Sequence, residues 1–249
     1  MAPVVIFLAW LGGLWFAGLM AAIALTMYWE WAVMTVRAID IRRDVSIGLF
    51  IFALIALMVV DPSLMPIALS CGLALSGIVI VLLGGETIGW NITGAGIASG
   101  LALCLIYARV LPESEFGLHL LVFLCFCVWA DDIFAYLVGR TFGGPKLLPK
   151  VSPKKTWSGF FGGLIGALVT GGLIAFIAFP EDLIVYCVVA LVLALEAQAG
   201  DLIESSVKRR FNVKDASNLI PGHGGLLDRV DGLTLAAYAF VLIYAICIL

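Results

Sequence analysis

Residues Gly117 to Val138 read GLHLLVFLCFCVWADDIFAYLV, with no Lys or Arg and no acid before Asp131. A membrane-crossing helix needs about 20 mostly apolar residues, and this run meets that requirement. Its two acids stand side by side near one end. A carboxylate near the centre of a membrane helix costs about 2.5–3.5 kcal/mol, so such residues face a cavity and have partners. The stretch therefore predicts both a membrane helix and a polar site at one end of it.

The rest of the chain follows the same pattern. Its 249 residues are 63% hydrophobic and 12% charged, with mean hydropathy +1.15. A soluble domain carries about 25% charged residues, so too few charges are present here to solvate a globule. No basic patch of the kind that binds nucleic acid stands out, and a disordered chain would be far more polar. Apolar runs at about 4–28, 46–60, 64–83, 93–111, 117–138, 160–179, 183–199 and 233–249 predict an all-α polytopic membrane protein. Eight spans are expected, with seven or nine open because the run at 46–60 is short. Continuous apolar runs, rather than alternation over about ten residues, exclude a transmembrane β-barrel. Gly96-x-x-x-Gly100 and Gly162-x-x-x-Gly166 permit close helix contact. The first run has no basic n-region and exceeds a signal peptide's apolar stretch of about 7–15 residues, so it reads as a retained span.

Charge placement gives the orientation. Eight spans put 29–45, 84–92, 139–159 and 200–232 on one side, and 13 of the 14 Lys and Arg residues fall there; Arg109 alone lies near the other. By the positive-inside rule that side is cytoplasmic, and both termini face away from it. All six cysteines lie in apolar runs, where they read as buried filler rather than disulfides or metal ligands. The chain divides on this reading into N-terminal transmembrane helices at 1–111 and a catalytic transmembrane region at 112–249. The latter carries cytoplasmic loops at about 139–159 and 200–232.

Those two loops hold most of the charge. Asp201 and Glu204 are one helical turn apart, and Asp228 and Asp231 repeat the spacing. Four such carboxylates would suit a hard divalent cation such as Mg2+, or would pair with neighbouring bases; spacing alone leaves both open. Arg140, Lys146, Lys154, Lys155, Lys208, Arg209, Arg210, Lys214 and Arg229 form a cationic rim. Positive-inside topology and attraction to anionic headgroups would explain the charge. They do not explain the interleaved turns Ser152-Pro153-Lys154-Lys155-Thr156-Trp157 and Gly222-His223-Gly224-Gly225. Backbone amides in such turns, beside Lys and Arg, suit phosphate oxygens. Residues 139–146 fit a P-loop poorly, because Pro145 interrupts Gly-Lys and no Ser or Thr follows Lys146. His223 reads equally as a base or as a hydrogen-bond donor.

The second loop resembles the signature of the phosphatidate cytidylyltransferase (CDP-diacylglycerol synthase) family. The likeness is carried by Ser205, Val207, Lys208, Arg209, Lys214, Asp215, Ser217, Ile220, Pro221, His223, Gly224, Gly225, Leu226, Asp228, Arg229, Val230 and Asp231. The first loop is similar to further family elements through Asp132, Ala135, Tyr136, Gly139, Arg140, Ser152 to Trp157 and Gly159, and Glu30-Trp31 also resembles the family. The specific match covers about 130–232; the N-terminal half matches mainly in hydrophobic character.

The resemblance implies transfer of CMP from CTP to phosphatidic acid, with Mg2+ and room for a second cation, in the cell's inner membrane with the site facing the cytoplasm. It implies Asp201 and Asp228 as metal ligands. Lys208, Arg209, Lys214 and Arg229 would hold phosphates, with Asp215, His223 and Asp231 in the catalytic group. Asp132, Tyr136, Arg140, Ser152, Lys154, Lys155, Thr156, Trp157, Ser205, Gly224 and Gly225 would bind substrate. Partners on this reading are CTP, phosphatidic acid and membrane lipids, with no nucleic acid; a homodimer is compatible with it and not required. Alternatives are an ether-lipid cytidylyltransferase, a polyprenol kinase or a transporter. A transporter would spread polar residues through several span centres, whereas here they cluster at one face.

Overall fold

The computed structural model of the chain describes residues 2–36, 41–61, 87–110, 114–222 and 224–247. Its helices are α1 (Ala2–Leu11), α2 (Gly13–Thr35), α3 (Ile41–Val60), α4 (Thr87–Val110), α5 (Ser114–Phe142), α6 (Trp157–Ala178), α7 (Leu183–Arg210) and α8 (Leu227–Cys247). Two short strands, β1 (Lys146–Leu148) and β2 (Ser152–Thr156), lie between α5 and α6. Seven of the described helices are long and apolar enough to cross a membrane. The protein is thus an all-α integral membrane protein, and the count falls within the expected seven to nine. The expected span at 64–83 lies outside the described residues, as does His223.

The chain forms two compact units, residues 1–118 with 211–230, and residues 119–210 with 231–249. In the first, α2 packs against α1, α3 and α4, around buried Met20, Ala24, Met27, Trp31, Ala98 and Leu101. The single apolar run expected at 4–28 is two helices. Gly12 (φ 66°) and Gly13 (φ 52°) take left-handed backbone angles that other residues rarely adopt, and this breaks the helix. The break leaves the last carbonyls of α1 without helical partners. Arg109 supplies them: its Nε donates to the Ala9 carbonyl at 2.8 Å and its Nη2 to that of Trp10 at 3.2 Å. The one base set apart by the charge count therefore has a structural task.

In the second unit α6 packs along α7, and the turn joining them is filled by aromatic rings. Phe179 stacks on Tyr186 with centroids 4.2 Å apart, and Phe123 meets Tyr186 edge-on at 5.2 Å. Such pairs contribute about 0.5–1.5 kcal/mol each beyond the area they bury. Helix α7 and the part of α8 in this unit cross where neither has a side chain. A Cβ on Gly200 would lie 2.8 Å from the Asp231 carbonyl oxygen, and one on Gly232 would lie 3.0 Å from that of Ala197. This backbone contact sets Asp201 beside Asp231.

Helices extend beyond the apolar runs that announced them. Helix α5 continues to Phe142 and α7 to Arg210, so Asp201 and Glu204 sit on helix within the stretch 200–232 that reads as loop from hydropathy. The loop 139–159 contains the antiparallel β1–β2 hairpin, pairing Lys146 with Thr156 and Leu148 with Ser152.

Candidate active site

The hairpin passes directly into α6, and that junction builds one wall of a site. Thr156 caps the helix, its Oγ1 accepting from the Gly159 N–H at 3.1 Å. The Trp157 N–H donates to the Pro145 carbonyl at 3.1 Å, tying the hairpin's end to its start. A Cβ on Gly139 of α5 would lie 2.9 Å from Thr156 Oγ1 and 3.3 Å from Gly159 Cα. The absence of side chains at both glycines lets α5 and the cap meet. Strand β2 then holds Lys154 and Lys155 over the end of α5.

Beneath them is a cavity of about 430 Å³, within the range of small-molecule sites. Arg140, Lys146, Lys154 and Lys155 line it together with Asp131, Asp132 and Asp201. Lys155 Nζ lies 2.5 Å from Asp201 Oδ2, and Ser205 Oγ donates to Asp201 Oδ1 at 3.2 Å. Arg140 donates to the Tyr136 hydroxyl at 2.7 Å, with both side chains exposed. Asp131 and Asp132, adjacent in sequence, point about 100° apart around the helix, and their roles differ accordingly. Asp131 is buried and accepts from Gln198 Nε2 at 2.6 Å, while the same amide donates to the Phe160 carbonyl at 3.1 Å. Asp132 is exposed and lies within charge–charge reach of Asp201, Asp231 and Lys155.

Further acids gather at this end of the unit. Asp231 lies beside Asp201, Lys208 and Glu204, and Lys208 Nζ is 3.2 Å from Glu204 Oε1 with both side chains largely buried. Asp131, Asp132, Asp201, Glu204 and Asp231 thus share the neighbourhood of Lys155 and Lys208. Among the described residues, no three His, Cys, Asp or Glu side chains converge into a preformed metal cage. A cage is not what Mg2+ needs: it keeps several waters and binds through one or two carboxylates plus substrate phosphates. The neighbouring carboxylates of Asp132, Asp201 and Asp231 are hard oxygen donors of the kind such an ion takes.

The signature loop forms its own cluster in the first unit. Asp228 accepts the Ala216 N–H through both oxygens, at 3.1 and 2.9 Å, and the Gly225 N–H through Oδ2 at 2.8 Å. The Ile220 N–H donates to the Gly224 carbonyl at 2.9 Å and closes the glycine turn. Lys214, Asp215 and Arg229 are exposed around this fold.

Of the residues singled out from sequence, Asp132, Tyr136, Arg140, Lys154, Lys155, Thr156 and Asp201 come together as the cavity's walls. Ser152 and Trp157 belong to the same hairpin and helix but do not line it; Trp157 packs on Phe160 and Phe161, centroids 5.6 and 6.1 Å away. Arg209 donates to the Val151 carbonyl at 3.4 Å, beside the hairpin. Sequence reasoning did not single out Gln198 or the depth of Glu30. The signal was present for both, as a polar residue within an apolar helix; Gln198 also stands one turn before Asp201 and so shares its face.

A helical membrane protein whose cavity combines four cations with three carboxylates has the equipment of an enzyme acting on phosphate esters, and comparison with known proteins makes it a nucleotidyltransferase. The chain belongs to the Cytidylyltransferase family, whose model matches residues 1–247. It is 40% identical over 258 residues to the phosphatidate cytidylyltransferase of Brucella melitensis biotype 1, covering 98% of this chain and 91% of that protein. A phosphatidate cytidylyltransferase of Rickettsia bellii is 48% identical over 125 residues, 47% of this chain and 54% of its own length. One from Bacillus subtilis is 39% identical over 133 residues, covering 53% and 49%.

Proposed function

We propose that this protein transfers CMP from CTP to phosphatidic acid, leaving CDP-diacylglycerol in the bilayer and releasing pyrophosphate. One observation carries the reading, the likeness over nearly the whole chain to a relative named for that reaction. The cavity's chemistry indicates how the reaction would run.

Phosphatidic acid ends in a phosphomonoester whose second pKa is near 6, so at neutral pH it is largely dianionic and already a competent nucleophile. Its oxygen forms a bond to the α-phosphorus of CTP while the bond from that phosphorus to the bridging oxygen breaks. The electron pair leaves with pyrophosphate. The barrier is repulsion between two anions and the charge that builds on the leaving group, which positioned cations lower. Lys154, Lys155, Arg140 and Lys146 would grip the triphosphate, with Arg209 beside the hairpin within the same unit. The absence of an obvious activated nucleophile among these residues agrees with direct attack.

Asp132, Asp201 and Asp231 would hold Mg2+. A cation there would neutralise polyphosphate charge. Lys208, paired with Glu204, would restrain the acids around it. The concentration of 13 of 14 bases in one set of loops supports placement in the cytoplasmic membrane with the cavity opening toward cytoplasmic CTP.

The test is incubation of the purified protein with labelled CTP, Mg2+ and phosphatidic acid. Labelled CDP-lipid and equimolar pyrophosphate are expected. Failure with every phospholipid acceptor would overturn the proposal, and release of CDP in place of pyrophosphate would make the protein a kinase.

A further inference from the structure

The signature loop is fastened by a residue far away in the chain. Glu30 lies on α2, is fully buried, and among the described residues accepts three hydrogen bonds from the loop and the start of α8. Oε1 accepts from the Ser217 hydroxyl at 2.6 Å and from the Leu226 N–H at 2.9 Å, and Oε2 accepts from the Leu227 N–H at 2.6 Å. The next amide back, Gly225 N–H, goes to Asp228 at 2.8 Å. Three successive amides at a helix start, an arrangement that attracts anions, are thus taken by two carboxylates of the protein itself.

From this geometry we infer that Glu30 is a positioning residue for the reaction. It fixes the segment bearing Lys214, Asp215, Asp228 and Arg229 and closes the amide cluster to substrate phosphate. The role needs a carboxylate. The backbone N–H groups of Leu226 and Leu227 are donors only, so two acceptor oxygens must face them. A glutamine offers one oxygen and one NH2. Whichever way it is turned, an amide donor then faces a backbone donor and one N–H loses its acceptor. An unsatisfied buried donor is costly, and the cost falls on the loop's attachment rather than on the helices.

The inference rests on the proposed reaction only for its kinetic consequence, so the experiment reads structure separately. Wild type, Glu30→Gln and Ser217→Ala are compared by hydrogen exchange at residues 213–228 and by steady-state kinetics in CTP. Glu30→Gln should raise exchange in that segment about tenfold while α6 and α7 exchange as in wild type. It should also lower kcat/KM for CTP about 10- to 100-fold per folded molecule, with the KM for the lipid little changed. Ser217→Ala, which removes one of the three donors and leaves both backbone bonds, should give a smaller change of the same kind. Wild-type exchange and kinetics in Glu30→Gln would overturn the inference. So would a loss of activity that only follows the unfolded fraction, since that is a general stability role. An inactive wild type would refute the proposed reaction and leave the exchange result to decide the loop's anchor.

Discussion

Replacing Asp201 by Asn separates what this side chain does for folding from what it does for chemistry. Its carboxylate lies 2.5 Å from Lys155 Nζ, and the two side chains are 29% and 26% exposed. An ion pair so open to solvent contributes about 0–1 kcal/mol to stability. Asn removes that attraction and also removes repulsion with Asp132 and Asp231, a change of opposite sign. The Ser205 hydroxyl keeps an acceptor in the Asn oxygen. The balance keeps Asp201→Asn within about 1 kcal/mol of wild type in stability, in either direction. Turnover should respond quite differently. Losing one preorganised electrostatic group at developing charge costs about 10²–10³-fold in rate. The same change should also raise the Mg2+ concentration needed for half-maximal activity. The assays are CMP transfer from labelled CTP across a Mg2+ series, and thermal inactivation of the purified protein in detergent. Turnover within tenfold of wild type at all Mg2+ concentrations would refute the assignment of Asp201 to charge handling. A rate loss accompanied by a large fall in thermal stability would refute the argument that the ion pair is energetically minor.

Lys155→Ala should raise the KM for CTP about tenfold or more, since a hydrogen bond to a charged group contributes about 1.5–3 kcal/mol; an unchanged KM would confine Lys155 to its pair with Asp201. Gly163→Ala should destabilise the protein by about 1–3 kcal/mol, because the new Cβ collides with Asp131 Oδ1 and comes within 2.9 Å of Gln198 Nε2. A thermal midpoint equal to wild type would show that the Asp131–Gln198 pair can move aside. Arg109→Ala leaves the Ala9 and Trp10 carbonyls without their guanidinium, so amide exchange around the α1–α2 break should rise while turnover stays near wild type. Unchanged exchange there would assign Arg109 another role.

The spans were legible in the sequence because the bilayer imposes length and apolarity on each one separately, and residues 117–138 or 160–179 need no partner to be recognised. The split between α1 and α2 was not, because hydropathy reads Gly12-Gly13 as apolar and is blind to backbone angle. The acids of the cavity were visible as charges in apolar context, and the cations of Ser152–Trp157 as a motif. Their pairing was not visible: Asp131 meets Gln198 at a separation of 67 residues and Glu30 meets Ser217 at 187. The first arises from helix packing and the second from a loop folding back onto a distant helix, and no local period encodes either. The hairpin at 146–156 was hidden for another reason, since strands this short leave no clear alternation to read.

The crossing of α7 and α8 limits how this enzyme can change over generations. A clash with a side chain can be relieved by trimming that side chain, so a second mutation elsewhere restores the fit. The obstacles at Gly200 and Gly232 are carbonyl oxygens of the opposing main chain, at Asp231 and Ala197, and no codon change shortens a carbonyl. A random search for suppressors of Gly200→Val should therefore return reversion to small residues at position 200 and nothing at its neighbours. The geometry beside Asp201 is in this sense a ratchet that neutral drift cannot loosen one substitution at a time.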